Sequence, residues 1–155
     1  MRVKSITEAY YLFKKILEQR SGIVVRVVPQ NYGRHRLIHA RLWYRGVSRP
    51  VKFYLIFQRK PFESFEKYFG FPSKAFTVNK SILEYCNKID VDRLVFIDEN
   101  GNVYMIDPRV ALHIAYEKAW IRKTKKTGEV VVHIPITILL KIEYKELDKK
   151  ITSFT

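Results

Sequence analysis

The stretch VKFYLIFQRK, residues 51–60, is a hydrophobic run that ends on polar side chains. Six of its first seven residues are hydrophobic, and Gln58, Arg59 and Lys60 follow them. Residues two apart on a strand point to the same side, so Gln58 and Lys60 would share one direction. Two interpretations stay open. Either a buried strand ends where it meets solvent, or the amide and the ammonium group are aimed together at a site.

Arginines and aromatic residues crowd the segment before this stretch. Guanidinium groups pair with phosphates, and aromatic rings stack on unpaired bases. Residues 38–45, IHARLWYR, alternate as a strand does, which predicts that His39, Arg41, Trp43 and Arg45 share one face. A place in the core is the alternative for the aromatic residues. The predicted nucleic-acid-binding residues are Arg34, Arg36, Arg41, Trp43, Arg45 and Arg49.

The elements that position these residues follow from periodicity, caps and turns. Ser5 and Glu8 have capping-box spacing, and hydrophobic residues then recur at helical intervals, which predicts a helix over residues 6–19. Three strands should follow as an antiparallel meander, the last of them ending at Gln58. An Asn-Gly pair between two hydrophobic runs predicts a hairpin over residues 93–106.

The remaining patterns are mostly helical. They predict helices at residues 62–69, 79–89, 107–120 and 143–151, a charged loop at 122–129, and a buried strand or short helix within 130–142. Residues 70–78 then connect two helices. The predicted fold class is α+β: a single domain, residues 1–155, with a central mixed or antiparallel sheet flanked by helices.

The net charge of +14 is concentrated in one part of the chain. Residues 1–60 hold 14 Lys and Arg residues and two acids, whereas residues 61–155 hold 15 and 13. A concentrated positive surface attracts a polyanion through phosphate contacts and counterion release, which predicts a nucleic-acid partner. A membrane partner is not expected, because the basic residues fall in predicted strands and loops and not along an amphipathic helix.

Cysteine usage and hydropathy predict a cytoplasmic protein. Cys86 is the one cysteine, which excludes an intramolecular disulfide and a cysteine-based zinc cluster within the chain. The first twenty residues lack the apolar core of a signal peptide, and no stretch is apolar for long enough to span a bilayer. We therefore expect a reducing, intracellular compartment.

The order of these elements, with Gln58-Arg59-Lys60 at the end of the meander, resembles the core of the PD-(D/E)XK nucleases across residues 6–98. The motif is similar to the Q-x-K variants of Mrr-like restriction enzymes. The size of the chain resembles that of small nucleases from viruses of hyperthermophilic archaea. The resemblance implies that Lys60 positions or activates the attacking water. It also implies that Gln58 lies beside a divalent metal, Mg²⁺ or Mn²⁺.

The strand before the motif carries no acid, since neither Asp nor Glu occurs from Ile38 to Arg59. A Mg²⁺ site usually has at least one carboxylate. Glu84 is the preferred catalytic residue and metal ligand, and Asp98 is a further metal ligand. The alternatives are a surface ion-pair stripe for Glu84 and a turn role for Asp98. The other acids considered, each with a structural alternative at a helix start, are Glu8, Glu63 and Glu66.

Three functions are consistent with these patterns. The first is a metal-dependent nuclease that hydrolyses DNA phosphodiester bonds, favoured by Gln58 and Lys60. The second is a non-catalytic nucleic-acid-binding protein with a degenerate nuclease fold, favoured by the missing strand acid. The third is an interaction component whose basic surface meets an acidic protein. A homodimer would duplicate the basic surface.

Overall fold

The first helix, α1 (Ile6–Gln19), begins at the cap that the sequence predicts. Ser5 Oγ accepts the backbone N–H of Glu8 at 3.2 Å, and the Glu8 carboxylate accepts the backbone N–H of Lys4 at 2.6 Å. The predicted bounds, residues 6–19, are confirmed. Glu8 is buried and holds the start of the helix, which is its structural alternative.

The structure, a computed structural model, describes residues 1–63, 73–116 and 121–145. The elements that follow α1 are β1 (Gly22–Pro29), β2 (His35–Tyr44), β3 (Val47–Phe57), β4 (Ala75–Asn79), α2 (Lys80–Lys88), β5 (Arg93–Ile97), β6 (Val103–Ile106), α3 (Pro108–Tyr116), β7 (Ile121–Lys123), β8 (Val130–Pro135), a 3₁₀ helix (Ile136–Ile138) and β9 (Leu140–Ile142). Among the described helices, none is long and apolar enough to cross a membrane.

A six-stranded mixed sheet forms the centre, in the order β1-β2-β3-β5-β6-β9. The antiparallel meander of β1, β2 and β3 and the β5–β6 hairpin are confirmed, and β3 pairs with β5 in parallel. Alternation within the strands produces two hydrophobic cores. Helix α1 covers one face of the sheet, and α2, α3 and a second sheet cover the other. The α+β class and the single domain are confirmed.

A second sheet, of three strands in the order β4-β8-β7, departs from the predicted single central sheet. Strand β4 lies where the sequence suggested a connection between helices, and β7 with the start of β8 makes a hairpin of the predicted charged loop. β4 is short and its partner β8 lies far along the chain, so no local pattern marks the pairing. Residues 130–142 contain a strand and then a 3₁₀ helix. The predicted helices at residues 62–69 and 143–151 lie mostly outside the described residues.

Candidate nucleic-acid interface

The end of β3 is a point where three segments of the chain converge. The parallel pairing with β5 continues past both strands, because the Gln58 N–H donates to Ile97 O at 3.0 Å and the Glu99 N–H donates to Arg59 O at 2.9 Å. The Val3 N–H then donates to Glu99 O at 2.7 Å. Backbone hydrogen bonds therefore place the residues before α1, the residues after β3 and the residues after β5 side by side.

The Gln58 side chain connects separate segments of the chain at the end of β3 through hydrogen bonds. Its side-chain Nε2 donates to Lys60 O at 2.9 Å, and its Oε1 accepts the Thr77 backbone N–H at 3.1 Å and lies 3.4 Å from Thr77 Oγ1. Thr77 belongs to β4, so this amide connects the two sheets. Gln58 is buried, whereas the Lys60 side chain is 78% exposed. The strand ends at Phe57, so Gln58 and Lys60 both lie beyond it, and both line the depression described below.

Glu99 is a buried carboxylate with three cations around it. Its side chain is 11% exposed, and its oxygens lie 3.6 Å from Arg2 Nη2, 3.6 Å from Arg59 Nε and 3.8 Å from Lys60 Nζ. Within the described residues, the buried Oε2 has no hydrogen-bond partner. One carboxylate against three cations leaves a local charge of +2. The three cations keep most of their side-chain surface in solvent, so they can contact a phosphate without leaving Glu99.

The surface beside these cations is concave. One depression of about 510 Å³ is lined by Lys4, Arg34, Arg59 and Lys60 and by the half-exposed ring of Phe62. A second depression, of about 220 Å³, adjoins it and shares Gly33, Arg34, Gln58 and Thr77 with the first. Its other lining residues include Tyr32, which is 46% exposed, and Asn79. We call the two depressions together the β3-end cleft.

His35 forms part of the wall of this cleft and is not one of its cations. Its Nδ1 lies 2.9 Å from the Tyr54 hydroxyl, inside the protein. Burial, together with the nearby charges of Arg34 and Arg36, lowers the pKa of His35 to about 4. The imidazole is therefore neutral near pH 7, and the positive charge of the cleft comes from its lysines and arginines.

The predicted nucleic-acid-binding residues do not gather on one surface. Arg34 lines the β3-end cleft, and Arg36 is half-buried and donates to the carbonyl of His35 at 2.8 Å. Arg41 and Trp43 lie toward the opposite end of the β2–β3 hairpin. A ten-residue strand spans roughly 30 Å at about 3.3 Å per residue. The cleft and the hairpin tip are therefore separate surfaces.

Two predicted arginines near the hairpin tip lie away from the face of Arg41. Arg45 was expected to share that face, and this expectation is wrong, because Arg45 and Gly46 form the turn with φ values of 51° and 79°. The Arg45 guanidinium lies over the Tyr44 ring, 5.2 Å from its centroid. Arg49 pairs with Leu42, on the face that α1 covers, where it lines a groove of about 250 Å³.

The predicted metal ligands belong to different elements, Asp98 to the β5–β6 turn and Glu84 to α2. Asp98 Oδ1 accepts the backbone N–H groups of Asn100 and Asn102, both at 2.9 Å, and its Oδ2 accepts the Asn102 side-chain amide at 3.0 Å. Asp98 thus holds the β5–β6 turn. Glu84 is exposed on α2, opposite the buried residues of that helix, and it does not line the cleft. The Glu63 side chain is 78% exposed, 3.6 Å from Lys74 Nζ. Glu66 lies outside the described residues.

The described side chains do not fit a Mg²⁺ or Mn²⁺ site. No three His, Cys, Asp or Glu residues among them lie close enough together to hold a metal ion. The Gln58 carbonyl oxygen already accepts from Thr77, and Glu99, the carboxylate beside Arg59 and Lys60, is surrounded by cations. Divalent hard cations need several oxygen ligands. The roles of Glu84 and Asp98 as metal ligands stay predictions.

Glu99 is the residue of this site that sequence reasoning missed. Its signal is weak, since it follows a strand and stands next to Asp98 in a turn. What gives it importance is the parallel register of β3 and β5, which brings it beside Arg59 and Lys60. Comparisons of the chain with protein-family models, with curated proteins and with solved structures found no match. The resemblance of Gln58-Arg59-Lys60 to the PD-(D/E)XK motif therefore stays a prediction.

Proposed function

We propose that the chain is a nucleic-acid-binding protein that holds the phosphate backbone of a strand in the β3-end cleft. This proposal rests mainly on one observation: cations from three separate stretches of sequence line the same concave surface. They are Lys4, Arg34, Arg59 and Lys60. Cations that line a groove follow a polyanion and release its counterions on binding. Without a bound polyanion the cations of the cleft would repel one another, and bound phosphates would relieve this repulsion.

The aromatic residues of the cleft favour nucleic acid over other polyanions. Tyr32 and Phe62 are 46% and 47% exposed, and they stand beside the cationic residues of the two adjoining depressions. Aromatic rings exposed next to a phosphate-binding groove offer stacking surfaces to bases, a contribution of about 1–3 kcal/mol per base. A protein surface rich in carboxylates would pair with the cations but would not stack on the exposed rings.

Fluorescence anisotropy with labelled DNA tests this function. The variant Arg59→Ala/Lys60→Ala should weaken binding and reduce the slope of log K against log salt by about 2, since each phosphate contact contributes about 0.9. The matched control is Lys88→Ala/Lys141→Ala, which removes two exposed cations away from the cleft. Melting curves on the same preparations check the fold. Equal losses of affinity in the variant and the control would show that only net charge matters and would refute the cleft.

A second candidate function is phosphodiester hydrolysis by a PD-(D/E)XK-like core. The specific observation in its favour is the pair of Glu99 and Lys60, 3.8 Å apart at the ends of adjacent parallel strands. An acid that follows β5 would replace the acid that is missing before the motif. The described residues do not fit the divalent metal that this chemistry uses elsewhere, so we derive no metal-dependent step.

A cleavage assay separates the two functions. Labelled linear, circular and branched DNA would be incubated with Mg²⁺, with Mn²⁺ or with a chelator. If the protein is a nuclease, Glu99→Gln and Lys60→Ala should abolish cleavage, because these two groups lie 3.8 Å apart at the proposed site. Glu84→Ala should not, because Glu84 lies on the exposed face of α2. If Glu84→Ala loses cleavage and Glu99→Gln retains it, the catalytic carboxylate is Glu84 and not Glu99. No cleavage by the wild type leaves binding as the function.

A homodimer is a further part of the proposal, since a twofold axis would place two clefts on one nucleic acid. Sedimentation equilibrium with and without DNA tests it. We expect DNA to raise the dimer fraction, and a monomer under both conditions would contradict this part.

A further inference from the structure

The hairpin of β7 and β8 carries a dense group of cations outside the β3-end cleft. Four of the five residues from Arg122 to Lys126 are basic, and all four are exposed. They line a concave surface of about 710 Å³ with Thr124, Thr127 and Glu129. We call residues 121–130 the basic hairpin.

The basic hairpin has a defined shape. The Thr124 N–H donates to Glu129 O at 2.8 Å, and the Gly128 N–H donates to Thr124 O at 3.0 Å. The hydroxyl groups of Thr124 and Thr127 also contact each other. Gly128 has a φ of +70°, a conformation that glycine adopts without strain. The cations therefore project from an ordered turn, and binding through them costs less conformational entropy than binding through a free loop.

A side-chain contact connects the basic hairpin to the wall of the cleft. Asn79 Nδ2 donates to Glu129 Oε2 at 3.0 Å, and Asn79 also lines the β3-end cleft. Asn79 occupies the N-cap position of α2 and makes no side-chain capping bond. Its amide is directed to the basic hairpin instead. A strand that leaves the cleft past Asn79 therefore reaches the hairpin cations next.

We propose that the basic hairpin is a second contact for the nucleic acid held in the cleft, and that the favoured ligand is a DNA duplex with a single-stranded overhang, whose unpaired bases lie in the cleft while the duplex meets the hairpin. This inference rests on the proposed function. β8 also pairs with β4 from Val131 onward, so the part of the hairpin that is only two strands wide is its tip, residues 123–130. Two antiparallel strands lie about 4.8 Å apart, so with side chains this tip fits a major groove about 12 Å wide but not a minor groove about 6 Å wide. The major groove of an RNA duplex is too deep and narrow for it. The hairpin thus selects DNA duplexes over RNA duplexes.

The test compares Lys125→Ala/Lys126→Ala with the control Lys88→Ala/Lys141→Ala on three probes: a DNA duplex with a single-stranded overhang, an RNA duplex of the same form and sequence, and a short single-stranded oligonucleotide. Both variants change exposed lysines, so the fold should persist. For the DNA duplex we expect the hairpin variant to lose about tenfold in affinity and to reduce the salt slope by about 2. The short strand, which fits within the cleft, should bind both variants equally.

The outcomes separate this inference from the proposed function. A wild-type protein that binds none of the probes refutes both. A wild type that binds DNA through Arg59 and Lys60, with a hairpin variant that binds the duplex as the control does, overturns the inference alone. If that variant instead loses binding to poly-glutamate, the hairpin serves an acidic protein. Equal affinity of the wild type for the DNA and RNA duplexes would contradict the groove argument.

Discussion

At the scale of single residues, Gln58 and Lys60 have separate tasks although they stand two apart. Gln58 is buried, and each of its side-chain polar atoms has a hydrogen-bond partner. Lys60 extends into solvent near Glu99. The amide connects two sheets, and the ammonium group faces the cleft.

We expect Gln58→Ala to lower the free energy of unfolding by about 1–3 kcal/mol, because it leaves the Thr77 N–H and the Lys60 carbonyl without their partner. Lys60→Ala should change stability by less than about 0.5 kcal/mol, since that side chain is mostly exposed. Urea denaturation of both variants measures the difference. Equal urea midpoints for the two variants would show that the side-chain hydrogen bonds of Gln58 contribute nothing to the stability of the fold.

Two buried histidines make stability depend on pH. Burial is the main cause that lowers the pKa of both His35 and His133 to about 4, with Arg34 and Arg36 adding to the effect at His35 and Arg122 at His133. In the unfolded chain the pKa is about 6.5, so the unfolded state binds more protons between about pH 4 and 6.5. Their contribution to stability is therefore complete above about pH 6.5 and is lost as the pH falls toward 4.

We expect the melting temperature to fall between pH 7 and pH 4, with a loss on the order of 3 kcal/mol for each histidine at the lower end. The variant His35→Gln should flatten this profile, because glutamine does not titrate. The measurement is a series of melting curves across the window. If the melting temperature of His35→Gln falls with pH as steeply as that of the wild type, His35 does not contribute to the pH dependence of stability.

At the scale of elements, the β2–β3 hairpin combines a regular register with a strained turn. The pairing of β2 with β3 runs without a break to Tyr44 and Val47, so the turn contains two residues, Arg45 and Gly46. Both have positive φ, as a type I′ turn requires, and Asn-Gly is the favoured pair there. Arginine in the left-handed region costs about 1 kcal/mol.

The variant Arg45→Asn should therefore raise the free energy of unfolding by up to about 1 kcal/mol. Because Arg45 lies far from the β3-end cleft, DNA affinity should fall less than in Lys60→Ala. Urea denaturation and anisotropy on the same preparation measure both quantities. If Arg45→Asn loses more affinity than Lys60→Ala, the nucleic acid binds at the tip of the β2–β3 hairpin and not in the cleft.

Local patterns predicted the elements whose signals are local. The cap of α1, the meander and the β5–β6 hairpin follow from residues close in sequence, and all three are confirmed. Strand β4 was missed because its pairing with β8 is non-local. Glu99 was missed for the same reason, since its neighbours come from the parallel register of β3 and β5. The cleft unites Lys4, Arg34 and Lys60, whose meeting depends on the complete fold.

At the scale of the whole molecule, the fold distributes the positive charge of the sequence over several separate surfaces. Residues 1–60 supply the cations of the cleft and those of the β2–β3 hairpin tip, and the basic hairpin belongs to the nearly balanced remainder. Net charge predicts a polyanionic partner, and we propose that the fold determines which of these surfaces holds it. With four cations at the cleft, the slope of log K against log salt should have a magnitude of about 3 or more.

Photo-cross-linking to a bromouracil-containing DNA tests most directly whether the β3-end cleft holds the nucleic acid. Tyr32, Phe62 and the Trp43–Tyr44 pair fall on different tryptic peptides, because lysines or arginines separate them. Mass spectrometry of the linked peptides then reports which surface the bases contact. We predict links to the peptides that contain Tyr32 or Phe62, reduced in Arg59→Ala/Lys60→Ala. Links confined to the peptide with Trp43 and Tyr44 would contradict the cleft and place the nucleic acid at the hairpin tip.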